Sequence, residues 1–341
     1  MTARRAINFL EMKPMNPDIV VASNASPDLK ATLERLKQLV LASAADASRR
    51  GYASDFAHFS RWCDDRKLTP LPATPEVCCL YIAAVSTELA LSTILRRLTS
   101  IGYAHRMAGY TENPASTNNT LLATLMKGLR RVKGVAHVQK EPLLTSDIRQ
   151  ILGARRDLLG IRNAALLLTG YAGGLRREEV VALNCSDISW CSQGMAVNIR
   201  SSKTDGVAEG RTIGIPFGAD ETTCAVRCLE RWLKAAGISG DQPIFRGVNR
   251  HGRVSRERLT PGSVARIIKA AASTAGMEAR VANLAGHSLR SGHVSQAALA
   301  GPSLDETTVM RQTGHTSPEM LRRYRRIHDL FVLNSAAHLG L

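Results

Sequence analysis

Three times this chain places a hydroxyl residue, a proline and an acid in succession: "SPD" from Ser26, "TPE" from Thr74 and "SPE" from Ser317. In each, the hydroxyl can accept from free backbone N–H groups, proline suits the first helical position, and the acid complements the positive helix end. Such starts, followed by runs like "LKATLERLKQLVLAS", constrain the chain to a mainly α-helical fold. Apolar spacing predicts helices over 28–43, 48–66, 75–86, 92–108 and 118–131, with no strand pattern among them. Residues 26–131 therefore read as a small helical domain, and 1–25, with little periodicity, as a flexible N-terminus. "RRVKGVAHVQKEPLL" is basic, broken by Gly134 and carries Pro142, which predicts a linker over 132–144.

From 145 the pattern changes. Helices are expected over 145–153, 162–171, 176–183, 221–236, 260–275, 287–299, 303–312 and 318–337. Between them "GMAVNIR" and "RTIGIPF" alternate, with Val197, Ile199, Ile213 and Ile215 on one face and "SSKTDGVAEG" as the joining hairpin loop. The second domain, 145–341, is thus mainly helical with one small antiparallel sheet.

Charge points to the partner. Lys and Arg number 45 against 29 Asp and Glu, a formal net charge of +16, which favours a polyanion. No segment is long and apolar enough for a membrane span, and neither terminus shows a signal or lipidation pattern, so a cytoplasmic nucleic-acid partner is expected. Aromatics make up only 4%, too few for base-stacking platforms to dominate, which favours double-stranded DNA over single strands. The seven cysteines include no C-x-x-C pair and read as reduced core residues.

Four separated motifs carry candidate chemistry. "GGLRREEV" puts Arg176 after a Gly-Gly turn at a helix start, with Glu179 three residues on, able to orient it; a surface salt bridge is the plainer reading. "RSSKTDG" places Lys203 in the hairpin loop, either as solvent-exposed decoration or as an ammonium delivered into a DNA groove. In "GHSLRSGH", His287 and Arg290 can converge on one phosphate, with Gly286 and Gly292 leaving room for its approach. In "RQTGHTSPEMLRRY", His315 sits in a Gly-led turn after a helix marked by Ser303 and Glu306, nine residues before Tyr324. Met320, Leu321, Tyr324, Ile327, His328 and Phe331 form an apolar helical stripe that contains the tyrosine. His293 lies on another face from His287, and neither H-E-x-x-H nor an acid cluster is present, so no metal and no cofactor is expected.

This inventory suits attack on a phosphodiester by tyrosine. The pentacoordinate transition state gains negative charge on its equatorial oxygens, where two arginines and a histidine are fixed donors. A lysine can protonate the leaving sugar oxygen.

The ordered set Arg176, Lys203, His287, Arg290, His315 and Tyr324 resembles the tyrosine site-specific recombinases of the phage integrase superfamily, and looks closest to Cre-like members. The match runs from about 142 to 341, and "HRMAGYTENPASTNNTLLATLMKGLRR" is similar to the end of a Cre-type core-binding domain. The resemblance implies a two-domain clamp on duplex DNA: a SAM-like core-binding domain and a catalytic domain. It implies that Arg176 and Arg290 clamp the scissile phosphate, with His287 and His315 as donors or acid-base groups. Lys203 would protonate the leaving 5′ oxygen, Tyr324 would form a 3′-phosphotyrosine, and Glu179 would support the site. Strand exchange through a Holliday junction in a homotetramer is implied, with no metal or ATP, and the tail "LFVLNSAAHLGL" would dock in a neighbouring protomer or pack within its own.

Two other readings stand beside this one. A type IB topoisomerase shares the chemistry, and a non-enzymatic DNA-binding protein would use the basic helices alone. Arg130, Arg131, Lys133 and Lys140 suit phosphate contacts along a duplex, and Arg96, Arg97, Arg266 and Lys269 are candidates for base readout.

Overall fold

The computed structural model describes residues 26–42, 46–134, 140–153, 157–200, 210–300, 304–319 and 321. The expectations for the N-terminus, for Lys203, for Ser303, and for Tyr324 and the tail beyond it fall outside these residues. The chain divides into two compact units, Met1–His137 and Val138–Leu341.

The described elements of the first unit are all helices: α1 (Pro27–Ala42), α2 (Asp46–Asp64), α3 (Pro75–Val85), α4 (Leu91–Met107) and α5 (Thr120–Lys133). The starts behave as their chemistry requires, with Ser26 Oγ accepting from Leu29 N at 3.2 Å and Thr74 Oγ1 from Val77 N at 3.4 Å. Phe56, Phe59, Tyr81, Ile82, Ile94, Ile101, Leu122 and Met126 close the core of α2 to α5.

The second unit holds α6 (Thr145–Leu152), α7 (Leu158–Ala172), α8 (Arg177–Ala182), β1 (Ile188–Cys191), β2 (Gly194–Ile199), β3 (Arg211–Pro216), α9 (Ala225–Ala236), β4 (Arg246–Val248), β5 (Val254–Arg258), α10 (Pro261–Thr274), α11 (Glu278–Val281), α12 (Ser288–Leu299) and α13 (Glu306–Thr313). The alternating segments are strands, and β2 pairs antiparallel with β3 in the register Val197↔Ile213 and Met195↔Ile215. Val197, Ile199, Ile213 and Ile215 are all buried, so one face of the sheet lies on the core. Trp232 of α9 anchors that core, fully buried with its indole N–H on the Ile244 carbonyl at 2.8 Å.

Several expectations need correction. The expected single sheet is two: β1 extends it to order β1-β2-β3, and β4 with β5 forms a separate pair. Of the segment expected as a linker, residues 132 and 133 lie on α5 and residues 140–144 fall in the second unit. There Glu141 N donates to Asn283 O at 3.1 Å, Leu143 N to Ser288 O at 3.0 Å, and the Leu143 side chain is buried. Finally, α13 starts at Glu306 behind Asp305, three residues later than expected.

Candidate active site

The chain reaches the site through Gly173-Gly174 after α7. Gly174 adopts φ +57°, and a Cβ there would lie 2.7 Å from Thr313 Cγ2, so the turn needs glycine twice over. Arg176 follows as the residue that caps α8. Its backbone N–H donates to Glu179 Oε2 and its Nη1 to Glu179 Oε1, each at 2.8 Å. Glu179 thus takes both the backbone N–H and the guanidinium of Arg176. The expectation that Glu179 orients Arg176 describes the geometry directly.

Glu179 has a second partner that the sequence reading missed. Arg211, first residue of β3, places Nη2 3.0 Å from Oε2 and Nη1 3.2 Å from Oε1. Burial alone would raise this carboxyl; the bonds from Arg211 and from Arg176 outweigh burial and hold it at about 2. The carboxylate is thus a fixed anionic strut between two guanidiniums. Gly314, at φ +67°, makes room for Arg211, since a Cβ there would be 2.9 Å from its Cζ. A Gly ahead of His315 was visible in the sequence; its neighbour was not.

Arg290 is buried on α12, and its Nη1 donates to the carbonyls of Gly174, at 2.8 Å, and Thr313. One side chain therefore ties together the turn that carries Arg176 and the turn that carries His315. The latter closes α13: Gly314 N and His315 N both donate to Met310 O, at 2.7 and 3.3 Å. His315 is buried, with Nδ1 2.7 Å from Thr313 Oγ1. Burial first, then the charges of Arg290, Arg176, His287 and Arg211, push its pKa down to about 3. His287 caps α12 at a more open position, and packing around its ring followed by the Arg290 and Arg176 charges lowers it as well.

The other motif residues have packing roles. His293 donates Nδ1–H to the Tyr171 carbonyl at 2.9 Å and lies beneath Gly174. Gly292 and Gly286 do not clear space for a phosphate, as expected from sequence, but for protein. A Cβ on Gly292 would lie 1.9 Å from the Leu143 carbonyl oxygen, and one on Gly286 2.9 Å from Arg177 Cδ. Leu321, the first described member of the stripe expected around Tyr324, is buried against Val294 of α12 and Val309 of α13.

The candidate DNA contacts separate into two kinds. Arg130, Arg131 and Lys133 are exposed on the last turn of α5. Lys140 is exposed with Nζ on the Ala282 carbonyl at 3.1 Å, Arg266 is exposed on α10, and Lys269 is half-buried there. Arg96 forms a two-pronged bond to Asp55, at 2.7 and 2.9 Å, with its side chain 57% exposed. Arg97 differs: its side chain is 11% exposed and its Nη1 donates to the Tyr81 hydroxyl at 2.6 Å and meets His58 Nδ1 at 3.0 Å. It is turned into the helical unit and braces α4 against α2 and α3. Among the described residues no three His, Cys, Asp or Glu side chains cluster as a metal site, and no helix is long and apolar enough to cross a membrane.

Known proteins place this geometry. The model of the phage integrase family matches residues 142–330. An integrase/recombinase XerD homologue of Selenomonas ruminantium is 33% identical over 317 residues, covering 92% of this chain and 90% of that protein. In fold, the chain is similar to a XerH site-specific recombinase bound to a palindromic difH substrate in a post-cleavage complex, with TM-score 0.58, 18% identity and coverage of 85% and 79% of the two chains. It is also similar to a lambda integrase tetramer bound to a Holliday junction, with TM-score 0.54, 18% identity and coverage of 87% and 77%. The family match lies on the segment that gathers Arg176, Arg290 and His315, and with the XerD homologue it shows that this chain belongs to the phage integrase family, as a tyrosine recombinase.

Proposed function

We propose that the protein is a site-specific DNA recombinase that cleaves duplex DNA through a 3′-phosphotyrosine on Tyr324 and rejoins strands through a Holliday junction. The observation that carries this is the bracing of Arg290 by the carbonyls of Gly174 and Thr313, which brings Arg176, Arg290 and His315 together from three distant segments. Two guanidiniums so placed would hold the scissile phosphate and strengthen their bonds as its oxygens gain charge. Lys203, four residues past the end of β2, would protonate the 5′ oxygen as it leaves. Tyr324 lies three residues beyond buried Leu321, whose contacts to α12 and α13 support a fixed start for the segment that bears it. The net charge of +16 and the exposed Arg130, Arg131, Lys133 and Lys140 support duplex DNA as substrate, contacted along its backbone. The lambda integrase tetramer on a Holliday junction supports four protomers on two DNA segments.

The test begins by selecting bound duplexes from a random pool, then nicking the selected site to trap cleavage. The wild-type protein is expected to give a covalent protein–DNA adduct on a denaturing gel, and Tyr324→Phe none. An adduct from the phenylalanine variant overturns the assignment. Relaxation of supercoils without recombination of two sites would make the enzyme a topoisomerase instead.

A further inference from the structure

A cleft of about 380 Å³ opens between α6, α7, β4 and α10, and none of Arg176, His287, Arg290 and His315 lines it. Its walls are largely apolar, with Leu152, Leu159, Leu167 and Ile267 among them, and its size is that of a small-molecule site. Its charged lining is Arg162 and Arg266, and among the described residues no acid lines it. Arg162 is only 5% exposed, yet its partners are neutral: Nε donates to Asn163 Oδ1 at 2.8 Å and Nη1 to the Arg246 carbonyl at 2.9 Å. Among the described residues no carboxylate pairs with this guanidinium, and Nη2 keeps no hydrogen-bond partner. Arg176 and Arg211, by contrast, share Glu179. Burial draws Arg162 down to about 10, with no acid to hold it up. Keeping a cation out of water without an anion is costly, and an anion entering the cleft would offset that cost.

We propose that this cleft binds a small amphipathic carboxylate, whose head accepts from Arg162 Nη2 and whose apolar body lies against Leu159, Leu167 and Ile267. The two bonds to neutral oxygens aim the guanidinium and leave one prong of its fork for the ligand. Asn163, also in the lining, gives its Oδ1 to Arg162 and so keeps its amide N–H groups as further donors. Arg266 of α10, exposed and with Nη2 on Ser263 Oγ at 3.1 Å, adds a second positive charge to the same lining. Two oxygens with one negative charge suit this short list of donors; a phosphate would leave oxygens facing leucine and isoleucine without a bond. The site shares no residue with the candidate active site, so it holds whether or not the chain cleaves DNA.

The test titrates full-length protein, labelled with ¹³C at its isoleucine methyls, with three probes: octanoate, octanol as the same tail without the charge, and inorganic phosphate as charge without a tail. Ile151 and Ile267 both line the cleft, and their signals are assigned by their loss in Ile151→Val and Ile267→Val. Octanoate is expected to shift both methyls saturably and to show through-space contacts to them. Octanol should bind about tenfold or more weakly, the size of one charge-assisted bond, and phosphate should leave both methyls unmoved. Arg162→Gln should weaken octanoate by a similar factor. Ala271→Leu, which narrows the cleft without touching Arg162 or its bonds, should weaken octanoate and octanol alike. Octanol binding as tightly as octanoate, phosphate moving the same methyls as strongly, octanoate shifts that do not saturate, or unchanged octanoate binding by Arg162→Gln would each overturn the proposal. If the glutamine variant does not fold, the comparison of octanoate with octanol on wild type decides.

Discussion

Arg211 and Arg176 grip one carboxylate from two different elements: Glu179 receives Arg176 at 2.8 Å from the start of α8 and Arg211 at 3.0 Å from β3. Arg176 cannot move far without leaving Glu179, and Glu179 cannot move without straining the β3 pair. Replacing Arg211 with Met keeps its length and removes the charge, leaving each oxygen of a buried carboxylate with one donor, from Arg176, where it had two. Breaking a buried pair from one side costs roughly 3–5 kcal/mol, part of which the remaining Arg176 bonds retain. The expected outcome is an adduct-forming rate about tenfold or more below wild type, with DNA affinity little changed and thermal stability lowered. Retarded-gel binding and single-turnover cleavage separate the two effects; a variant that loses affinity and rate in equal measure would place Arg211 on the DNA instead.

The parts of the site that were legible in the sequence share a physical reason. Arg176 with Glu179, and His287 with Arg290, are neighbours on one helical turn, where fixed spacing puts side chains together. The pairs that were not legible join distant segments: Arg211 reaches Glu179 across 32 positions, and Leu143 rests on Gly292 from the far end of the unit's sequence. No local period encodes such meetings. Arg97 was misread for a related reason, because an arginine beside Arg96 on a basic helix looks like a surface charge until Tyr81 and His58 are seen beneath it. The strands β4 and β5 escaped notice because "RGVNRHGRVSRER" is too charged to alternate, and β1 is only four residues long. Helix existence, in contrast, depended on caps and spacing that lie within each segment.

Acid should destabilise the free protein earlier than carboxylate chemistry alone predicts. His315 binds a proton in the folded state only near pH 3, but in the unfolded chain near its ordinary 6.5. Between those values the unfolded state holds more protons, so stability falls as pH drops through this window. Burial lowers His58, His105 and His293 too, and each adds to the same slope. Glu179 acts lower down: its stabilisation is present above about 4.5 and is lost as pH falls toward about 2. Urea midpoints are therefore expected to decline steadily from pH 7 to 5, and His315→Gln should flatten part of that decline. An unchanged slope in the variant would show that His315 protonates alike in both states.

Gly292 and Gly128 are both helical glycines, and they predict opposite results for the same substitution. At Gly292 the new Cβ would lie 1.9 Å from the carbonyl oxygen of Leu143, whose N–H is itself fixed on Ser288 O. Neither backbone can give way without moving Leu143 off α12, and α12 carries Arg290. Overpacking of this kind costs about 1–3 kcal/mol, more than the ~1 kcal/mol by which alanine favours a helix over glycine. At Gly128, on the exposed side of α5, a Cβ meets nothing within 4 Å. There alanine should stabilise by about 0.4–1 kcal/mol, chiefly by restricting the unfolded chain. Calorimetry of the two variants is expected to show Gly292→Ala melting several degrees lower with weakened cleavage, and Gly128→Ala melting slightly higher with cleavage intact. Equal melting temperatures would mean that the entry of the chain over α12 is looser than the Leu143 hydrogen bond implies.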